Sequence, residues 1–129
     1  MSPVPQIPAG FSPQLVAIDV DDTLISHDGM VIERASEAIR RLREAGVRVA
    51  LATGRSPSTS IPVARAAGTD DLAVCSNGAL LINVQEETTI EAITFDPRPV
   101  LEELVEHVPN AIFAVEDVNG LFRTTRAFG

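Results

Sequence analysis

Two aspartates, Asp19 and Asp21, stand at the end of a short apolar segment that begins at Leu15. The segment is rich in β-branched residues and favours a buried strand. Side chains alternate between the two faces of a strand, so carboxylates at this spacing point the same way. Neighbouring anions near a buried strand end are costly unless a cation, a proton or a phosphoryl group compensates for their desolvation. The pair therefore predicts a metal or phosphoryl site.

Two further apolar segments, 47–52 and 72–76, lead into small polar residues. Thr53 and Gly54 follow the first segment, and Asn77 follows the second. Both segments are short and bounded by turn residues, which is typical of buried strands. The sequence thus places a small polar group at the end of each of three predicted strands.

Segments with helical periodicity lie between these predicted strands. Residues 31–45 repeat apolar side chains at helical spacing, and a second helix is predicted near 60–67, with Pro62 in its first turn because an interior proline would break it. Strand–helix alternation is typical of a parallel sheet with right-handed crossovers. We therefore predict an α/β fold with a Rossmann-like parallel sheet. Ligands of such sheets bind at the carboxyl ends of the strands, so the polar strand ends are expected to share one crevice.

The second half of the chain has a different pattern. It predicts an antiparallel hairpin, then a helix that ends before Pro109, then a second strand pair around Asn119-Gly120. This order favours the opening of a second, α+β module, with a boundary near Asn83. We divide the chain into a proline-rich tail (1–13), a partial β-α-β-α-β core (14–83) and a partial α+β module (84–129).

Composition limits the class of protein. The chain has 129 residues, of which 45% are hydrophobic, and a formal net charge of −8. The apolar content argues against a disordered chain, and the acidic balance argues against nucleic acid as a partner. No apolar run approaches the roughly 18 residues that a membrane span needs, so no membrane partner is expected. The lone cysteine, Cys75, offers no disulfide framework, and a cytoplasmic location is expected.

Three short motifs together resemble a known family. Asp19 to Leu24 matches the Asp-x-Asp-x-Thr signature of the haloacid dehalogenase superfamily of phosphohydrolases. Ala50 to Arg55 is similar to its second motif, a strand that ends in Thr or Ser. Ser76 to Ala79 resembles the segment that leads into the α+β cap domain in the Cof-like branch, whose members are mostly sugar-phosphate and related small-molecule phosphatases. The motifs occur in the family's order.

The resemblance implies an aspartyl-phosphate mechanism on a small phosphate ester. Asp19 is expected to attack phosphorus, and the Asp21 side chain to act first as acid and then as base. A Mg²⁺ ion, held by Asp19 and by the backbone carbonyl of Asp21, is expected between the carboxylate and the phosphoryl oxygens. The Thr53 hydroxyl is expected to donate to a phosphoryl oxygen, with Gly54 and Asn77 in the same phosphate site.

Two parts of a complete family member are missing from the chain. A third motif normally supplies a lysine, and a fourth supplies acidic metal ligands, but the chain contains no lysine at all. Both motifs normally follow the cap, so we expect this chain to be the amino-terminal portion of such a phosphatase, with weak or no activity by itself. The strand that bears Asp19 would then lie at a sheet edge, which predicts pairing with a second copy as a homo-oligomer.

Two other functions stay open. A receiver-like phosphoacceptor domain has a similar acidic cluster, but it needs an aspartate at the end of the third strand, where this chain has Ser76 and Asn77. A non-catalytic module on the same scaffold would bind Mg²⁺ poorly and phosphate analogues not at all. Arg55 either contacts substrate or pairs with the acidic surface. Asp22, at a position often held by glycine in the family, is interpreted as a local cap or loop residue.

Overall fold

A five-stranded sheet forms the centre of the fold. The structure is a computed structural model that describes residues 8–69 and 71–126. The strands are β1 (Leu15–Ile18), β2 (Arg48–Ala52), β3 (Leu72–Cys75), β4 (Leu80–Asn83) and β5 (Thr88–Ala92). They lie side by side in chain order, with β1, β2 and β3 parallel and with β4 and β5 each antiparallel to the strand before. The predicted α/β fold with a parallel core is confirmed.

The register of the parallel strands brings their carboxyl ends to one edge of the sheet. Ile18 pairs with Leu51, and Ala52 pairs with Val74. The backbone N–H of Thr53 continues the pairing, because it donates to the Val74 carbonyl at 2.9 Å. The residues that follow β1, β2 and β3 therefore meet at the same edge, as expected for a ligand site in this kind of sheet.

Two helices, α1 (Glu33–Glu44) and α2 (Pro57–Ala67), connect the parallel strands. Helix α1 packs against β2 and α2 packs against β3, and the two helices contact each other, so they cover the same face of the sheet. Buried apolar side chains from the sheet, both helices and the loop after β1 form the core. Each large side chain removed from water in this way contributes about 1.5–3 kcal/mol.

Helix α2 begins earlier than the sequence predicted. Pro57 is its first residue, and Pro62 lies inside it rather than in its first turn. Proline suits the first helical position, where its fixed φ is already helical and its missing N–H has no helical partner to lose. The Ser60 hydroxyl donates to the Ser56 carbonyl at 2.8 Å and strengthens this first turn. The early start is what brings the amino terminus of α2 next to the residues that follow β2.

The hairpin β4–β5 extends the core sheet. Asn83, where the sequence places the domain boundary, is the last residue of β4 and pairs with Leu72 of β3 and with Thr88 of β5. The chain then forms α3 (Arg98–His107) and a two-stranded sheet of β6 (Ala114–Glu116) and β7 (Phe122–Thr124). The sheet is therefore continuous across residue 83, and the division into core and second module stays a prediction. Of the predicted tail, residues 1–7 lie outside the described residues.

Strand β1 lies at an edge of the sheet. It is first in the strand order, and within the described ranges its strand partner is β2 alone. An edge strand presents unpaired N–H and C=O groups to a second chain. Pairing of two copies through β1 stays a prediction. None of the helices in residues 8–69 and 71–126 has the length and apolar character needed to cross a membrane.

Candidate active site

The loop after β1 presents two carboxylates on its exposed side. Asp19 and Asp21 are exposed, whereas Val20 between them is fully buried. The backbone N–H groups of Thr23 and Leu24 both donate to the Val20 carbonyl, at 3.4 and 2.9 Å, and coil the chain tightly. Apolar anchoring of this kind holds the loop in place while the alternation of side chains directs both acids outward. The predicted common orientation of the two carboxylates is consistent with this geometry.

Asp22 occupies a backbone conformation that suits the loop interpretation. Its φ is 57°, in the left-handed region that glycine and, less readily, aspartate adopt. Its exposed carboxylate lies 3.7 Å from the imidazole of His27. The side chain is therefore directed to the loop surface, and its neighbour Asp21 is the acid that reaches the strand edge.

Arg55 joins the loop after β1 to the residues after β2. Its Nη2 lies 2.6 Å from Asp21 Oδ1, and its Nε lies 3.1 Å from each oxygen of the same carboxylate. The sequence left two readings for Arg55, substrate contact or pairing with acidic groups, and the structure shows it paired with Asp21. A forked guanidinium contact of this kind fixes the carboxylate's orientation as well as its distance.

The ion pair between Arg55 and Asp21 shifts the pKa values of both side chains. Hydrogen bonding from Arg55, reinforced by its positive charge, lowers the pKa of Asp21 below the usual 3.8, although some desolvation opposes the effect. The same contact raises the pKa of the Arg55 guanidinium above its usual value. Asp21 is therefore ionised in this arrangement. To donate a proton it must first leave Arg55.

Backbone contacts of Arg55 tie the three strand ends together. Its N–H donates to the Oγ1 of Thr53 at 3.1 Å, and its carbonyl accepts from the Ser76 N–H at 2.8 Å. Thr53 is buried, with 6% of its surface exposed. Because a hydroxyl both accepts and donates, Thr53 still has its own proton available for a ligand oxygen.

Gly54 and Asn77 lie against each other. A Cβ on Gly54 would come within 2.9 Å of Asn77 Oδ1, closer than van der Waals contact allows, so a larger residue at position 54 would displace the Asn77 side chain. The Asn77 N–H donates to the Thr53 carbonyl at 3.2 Å. Ser76 and Asn77 both have positive φ, 53° and 54°, which is strained backbone for residues other than glycine. Such strain often accompanies functional positions.

Four of the five predicted site residues are linked by contacts, and the fifth, Asp19, lies at the same edge of the sheet without such a link among the described residues. Thr53, Gly54 and Asn77 are brought into contact, and Asp21 joins them through Arg55. Asp19 follows β1 at the same edge, and no hydrogen bond or ion pair links its side chain to the others in the described part of the chain. The roles assigned to these residues stay predictions.

Oxygen atoms of Asp19 and Asp21 could bind a magnesium ion at this edge of the sheet. No group of three or more His, Cys, Asp or Glu side chains suited to a metal occurs in the described residues. Mg²⁺, however, keeps several waters and often takes only one or two protein carboxylates together with substrate phosphate. The exposed Asp19 carboxylate and the backbone carbonyl of Asp21, to which no described amide donates, are hard oxygen donors of the right kind. These two residues fit the ion, while the Asp21 carboxylate is engaged by Arg55.

The β6–β7 hairpin lies close to this edge. A Cβ on Gly120, in the turn of the hairpin, would come within 2.8 Å of the Pro57 ring at the start of α2. The Thr89 hydroxyl donates to the Val118 carbonyl at 2.8 Å and holds the same turn against β5. Nothing in the sequence indicated these contacts, since they join segments far apart in the chain.

Known proteins with similar sequences are phosphatases. The chain is 33% identical over 110 residues to a pyridoxal phosphate phosphatase from Escherichia coli, covering 81% of this chain and 39% of that protein. It is 30% identical over 94 residues to a 5-amino-6-(5-phospho-D-ribitylamino)uracil phosphatase from Bacillus subtilis, covering 73% and 35%. A phosphoglycolate phosphatase from Archaeoglobus fulgidus is 32% identical over 71 residues, covering 55% and 30%. The chain thus spans less than half the length of these relatives.

Solved structures share the fold. A phosphatase of the haloalkanoate enzyme superfamily from Bacteroides thetaiotaomicron superposes with a TM-score of 0.74 at 23% identity, over 95% of this chain and 46% of that one. A protein from Geobacillus kaustophilus has a TM-score of 0.69 at 27% identity, over 88% and 43%. The family model described as haloacid dehalogenase-like hydrolase matches residues 16–120, which is most of the chain. The resemblance predicted from the motifs is confirmed: this protein belongs to the haloacid dehalogenase-like hydrolases.

Proposed function

We propose that the protein is a Mg²⁺-dependent phosphatase of small phosphorylated metabolites that works through an aspartyl-phosphate on Asp19. The proposal depends on one observation: Arg55 binds Asp21 through its side chain and Thr53 through its backbone, and so joins the residues after β1 and β2 at one edge of the sheet. This edge offers an acid, a buried hydroxyl donor and a cation for an anionic substrate. The resemblance implies sugar phosphates as substrates, and the relatives add phosphorylated pyridine and ribityl compounds as candidates.

In the first half of the reaction, the Asp19 carboxylate oxygen attacks phosphorus and the bond to the leaving alkoxide breaks. Asp21 gives its proton to that alkoxide, so it must enter the reaction protonated and released from Arg55. The negatively charged phosphoryl group favours this release, because it competes for the guanidinium of Arg55. Thr53 and the backbone N–H groups around Gly54 donate to the phosphoryl oxygens.

In the second half, the Asp21 carboxylate takes a proton from water, which attacks the phosphorus of the aspartyl-phosphate. The bond between Asp19 and phosphorus breaks, and inorganic phosphate leaves. Mg²⁺, held by the Asp19 carboxylate and the Asp21 carbonyl, would reduce the repulsion between nucleophile and phosphoryl group. A buried free cysteine, Cys75, suits a reducing compartment, and we place the activity in the cytoplasm.

Replacement of Asp19 by asparagine tests the proposal. With Mg²⁺ and a panel of phosphate esters, phosphate release by the wild type is expected to be weak, because the lysine and acidic motifs of the family are missing from the chain, and Asp19→Asn is expected to abolish it because the amide is not a nucleophile. Acid quenching followed by peptide mass spectrometry should find the phosphoryl group on Asp19. With an aryl phosphate, whose leaving group needs no proton from Asp21, Asp21→Asn should accumulate this phosphoenzyme, since the base for its hydrolysis is gone.

Asp22→Asn is the matched control. It removes an exposed carboxylate from the same loop, next to Asp21 in sequence but paired with His27. Its rate of phosphate release should equal that of the wild type. If the wild type binds Mg²⁺ poorly, releases no phosphate from any ester and carries no phosphoryl group, the protein is a non-catalytic module on this scaffold. If phosphorylation occurs on a residue other than Asp19, the mechanism is wrong.

A further inference from the structure

A cavity of about 250 Å³ lies between the core sheet and the β6–β7 hairpin. One wall is formed by the turn after β3, by the start of β4 and by the segment after β5, and the opposite wall is strand β6. Most of its surface is apolar. Leu80, Ile93 and Val115 contribute apolar side chains, and Ser76 and Glu116 contribute polar ones. This volume accommodates a single-ring molecule and lies just below the roughly 300–1,000 Å³ of typical ligand pockets.

The cavity begins one residue from the candidate active site. Ser76, in its wall, donates its N–H to the carbonyl of Arg55, and the next residue, Asn77, donates to the carbonyl of Thr53. Glu116 lines the same cavity as Ser76, the residue that directly follows β3. A phosphoryl group bound near Thr53 would therefore have its alcohol portion within reach of this cavity.

Two polar side chains that line the cavity each have a buried oxygen without a partner among the described residues. Ser76 Oγ and Glu116 Oε1 are both buried and accept or donate no hydrogen bond in the part of the chain that the structure describes. Buried polar atoms are nearly always hydrogen-bonded, and an unpaired one is destabilising unless something else compensates for it. Ser76 is also held at a positive φ of 53°. A strained, unpaired hydroxyl and an unpaired carboxylate oxygen on opposite walls of one cavity indicate a site for a ligand that supplies donors.

The chemistry of the wall limits that ligand. An ionised carboxylate only accepts hydrogen bonds, so the group facing Glu116 must carry an N–H or O–H. A carboxylate-bearing alcohol such as glycolate would bring two like charges together. An open-chain polyol would leave several hydroxyls unpaired against Leu80, Ile93 and Val115. A flat ring with a polar edge satisfies both the apolar wall and the acid.

We propose that this cavity binds the alcohol portion of the substrate, and that this portion is a small heteroaromatic ring whose N–H or O–H donates to Glu116. The inference rests on the proposed phosphatase function and names its substrate class, which differs from the sugar phosphates that the resemblance implies. Glu116 is then a specificity residue, and it takes no part in the chemistry at phosphorus. Ser76 provides a second polar contact at the entrance nearest to Asn77.

Direct binding of the free alcohol tests the inference without requiring catalysis. Pyridoxine, glycolate and ribitol are titrated by calorimetry into the wild type, Glu116→Leu and the control Glu86→Gln, which removes an exposed acid from the β4–β5 turn. Pyridoxine should bind to the wild type and to Glu86→Gln more tightly than the other two alcohols. Glu116→Leu should weaken pyridoxine binding about tenfold or more, the effect of one hydrogen bond to a charged group. Circular dichroism should show that this variant folds, because leucine replaces an unpaired acid with an apolar group.

Failure of this inference is distinct from failure of the proposed function. If the wild type releases phosphate but binds the three alcohols equally, or if Glu116→Leu binds pyridoxine as well as the wild type, the substrate class is wrong and the phosphatase stands. Absence of pyridoxine binding likewise overturns the inference. If pyridoxine binds and Glu116→Leu weakens it while no ester is hydrolysed, the cavity assignment stands and the phosphatase mechanism is wrong.

Discussion

Replacement of Thr53 by valine separates the structural and catalytic roles of its hydroxyl. The substitution keeps the β-branched shape of a buried side chain but removes the acceptor of the Arg55 N–H, which lies at 3.1 Å. Leaving a backbone donor unpaired costs about 1–3 kcal/mol when it is buried. Since Arg55 is only partly buried, we expect a loss of about 1 kcal/mol in the free energy of unfolding, at the low end of that range.

The catalytic effect of the same substitution should be much larger. Removing one preorganised donor to a developing negative charge typically lowers kcat by about 100-fold to 1000-fold. Urea denaturation measures the first effect, and phosphate release together with orthovanadate binding measures the second. Thr53→Ser is the control: it keeps the hydroxyl and loses one methyl group, so it should cost about 0.8 kcal/mol in stability and little in kcat. If Thr53→Val binds orthovanadate and releases phosphate as well as Thr53→Ser does, the hydroxyl does not contact the phosphoryl group and the reasoning fails.

Two further predictions follow from the ion pair and from the sheet edge. Because Arg55 lowers the pKa of Asp21 below 3.8, their interaction stabilises the fold above that pH, and the contribution is lost as the pH falls through the lowered value. Arg55→Gln should therefore lower the urea midpoint at pH 7 and have no effect well below pH 3.8, whereas an equal effect at both pH values would contradict the assignment. Light scattering should find a dimer that the substitution of Ala17 in β1 by proline dissociates, because the N–H of Ala17 faces the free edge, and a monodisperse wild-type monomer would rule out pairing through that edge.

The signals that predicted the site were local in the chain. Asp19 and Asp21 belong to a strand end that hydrophobicity and β-branching identify, and the same holds for Thr53 after β2. Parallel strands connected by helices must align their carboxyl ends, so topology alone predicted that these residues would meet. The start of α2 was harder to predict, because Pro57 and Pro62 both suit a first turn and only packing distinguishes them.

The partner of Arg55 could not be predicted in the same way. A flexible arginine near several acids has many local partners of similar energy, and the choice of Asp21 depends on how the loops after β1 and β2 approach each other. The same is true of Glu116, which no motif marks and which lines the same cavity as Ser76 only because the β6–β7 hairpin lies against α2 and β5. Contacts between distant segments depend on tertiary packing, which sequence periodicity does not encode.

The amino-acid sequence was sufficient to predict the parallel α/β core, the family and the carboxylate, hydroxyl and amide groups at the strand ends, because periodicity and strand-end chemistry depend on residues that are neighbours in the chain. The folded structure was needed to show that Arg55 holds Asp21, that the hairpin β4–β5 extends the core sheet, and that two unpaired oxygens face one cavity. Each of these depends on the distance between segments that the chain brings together only when the core packs.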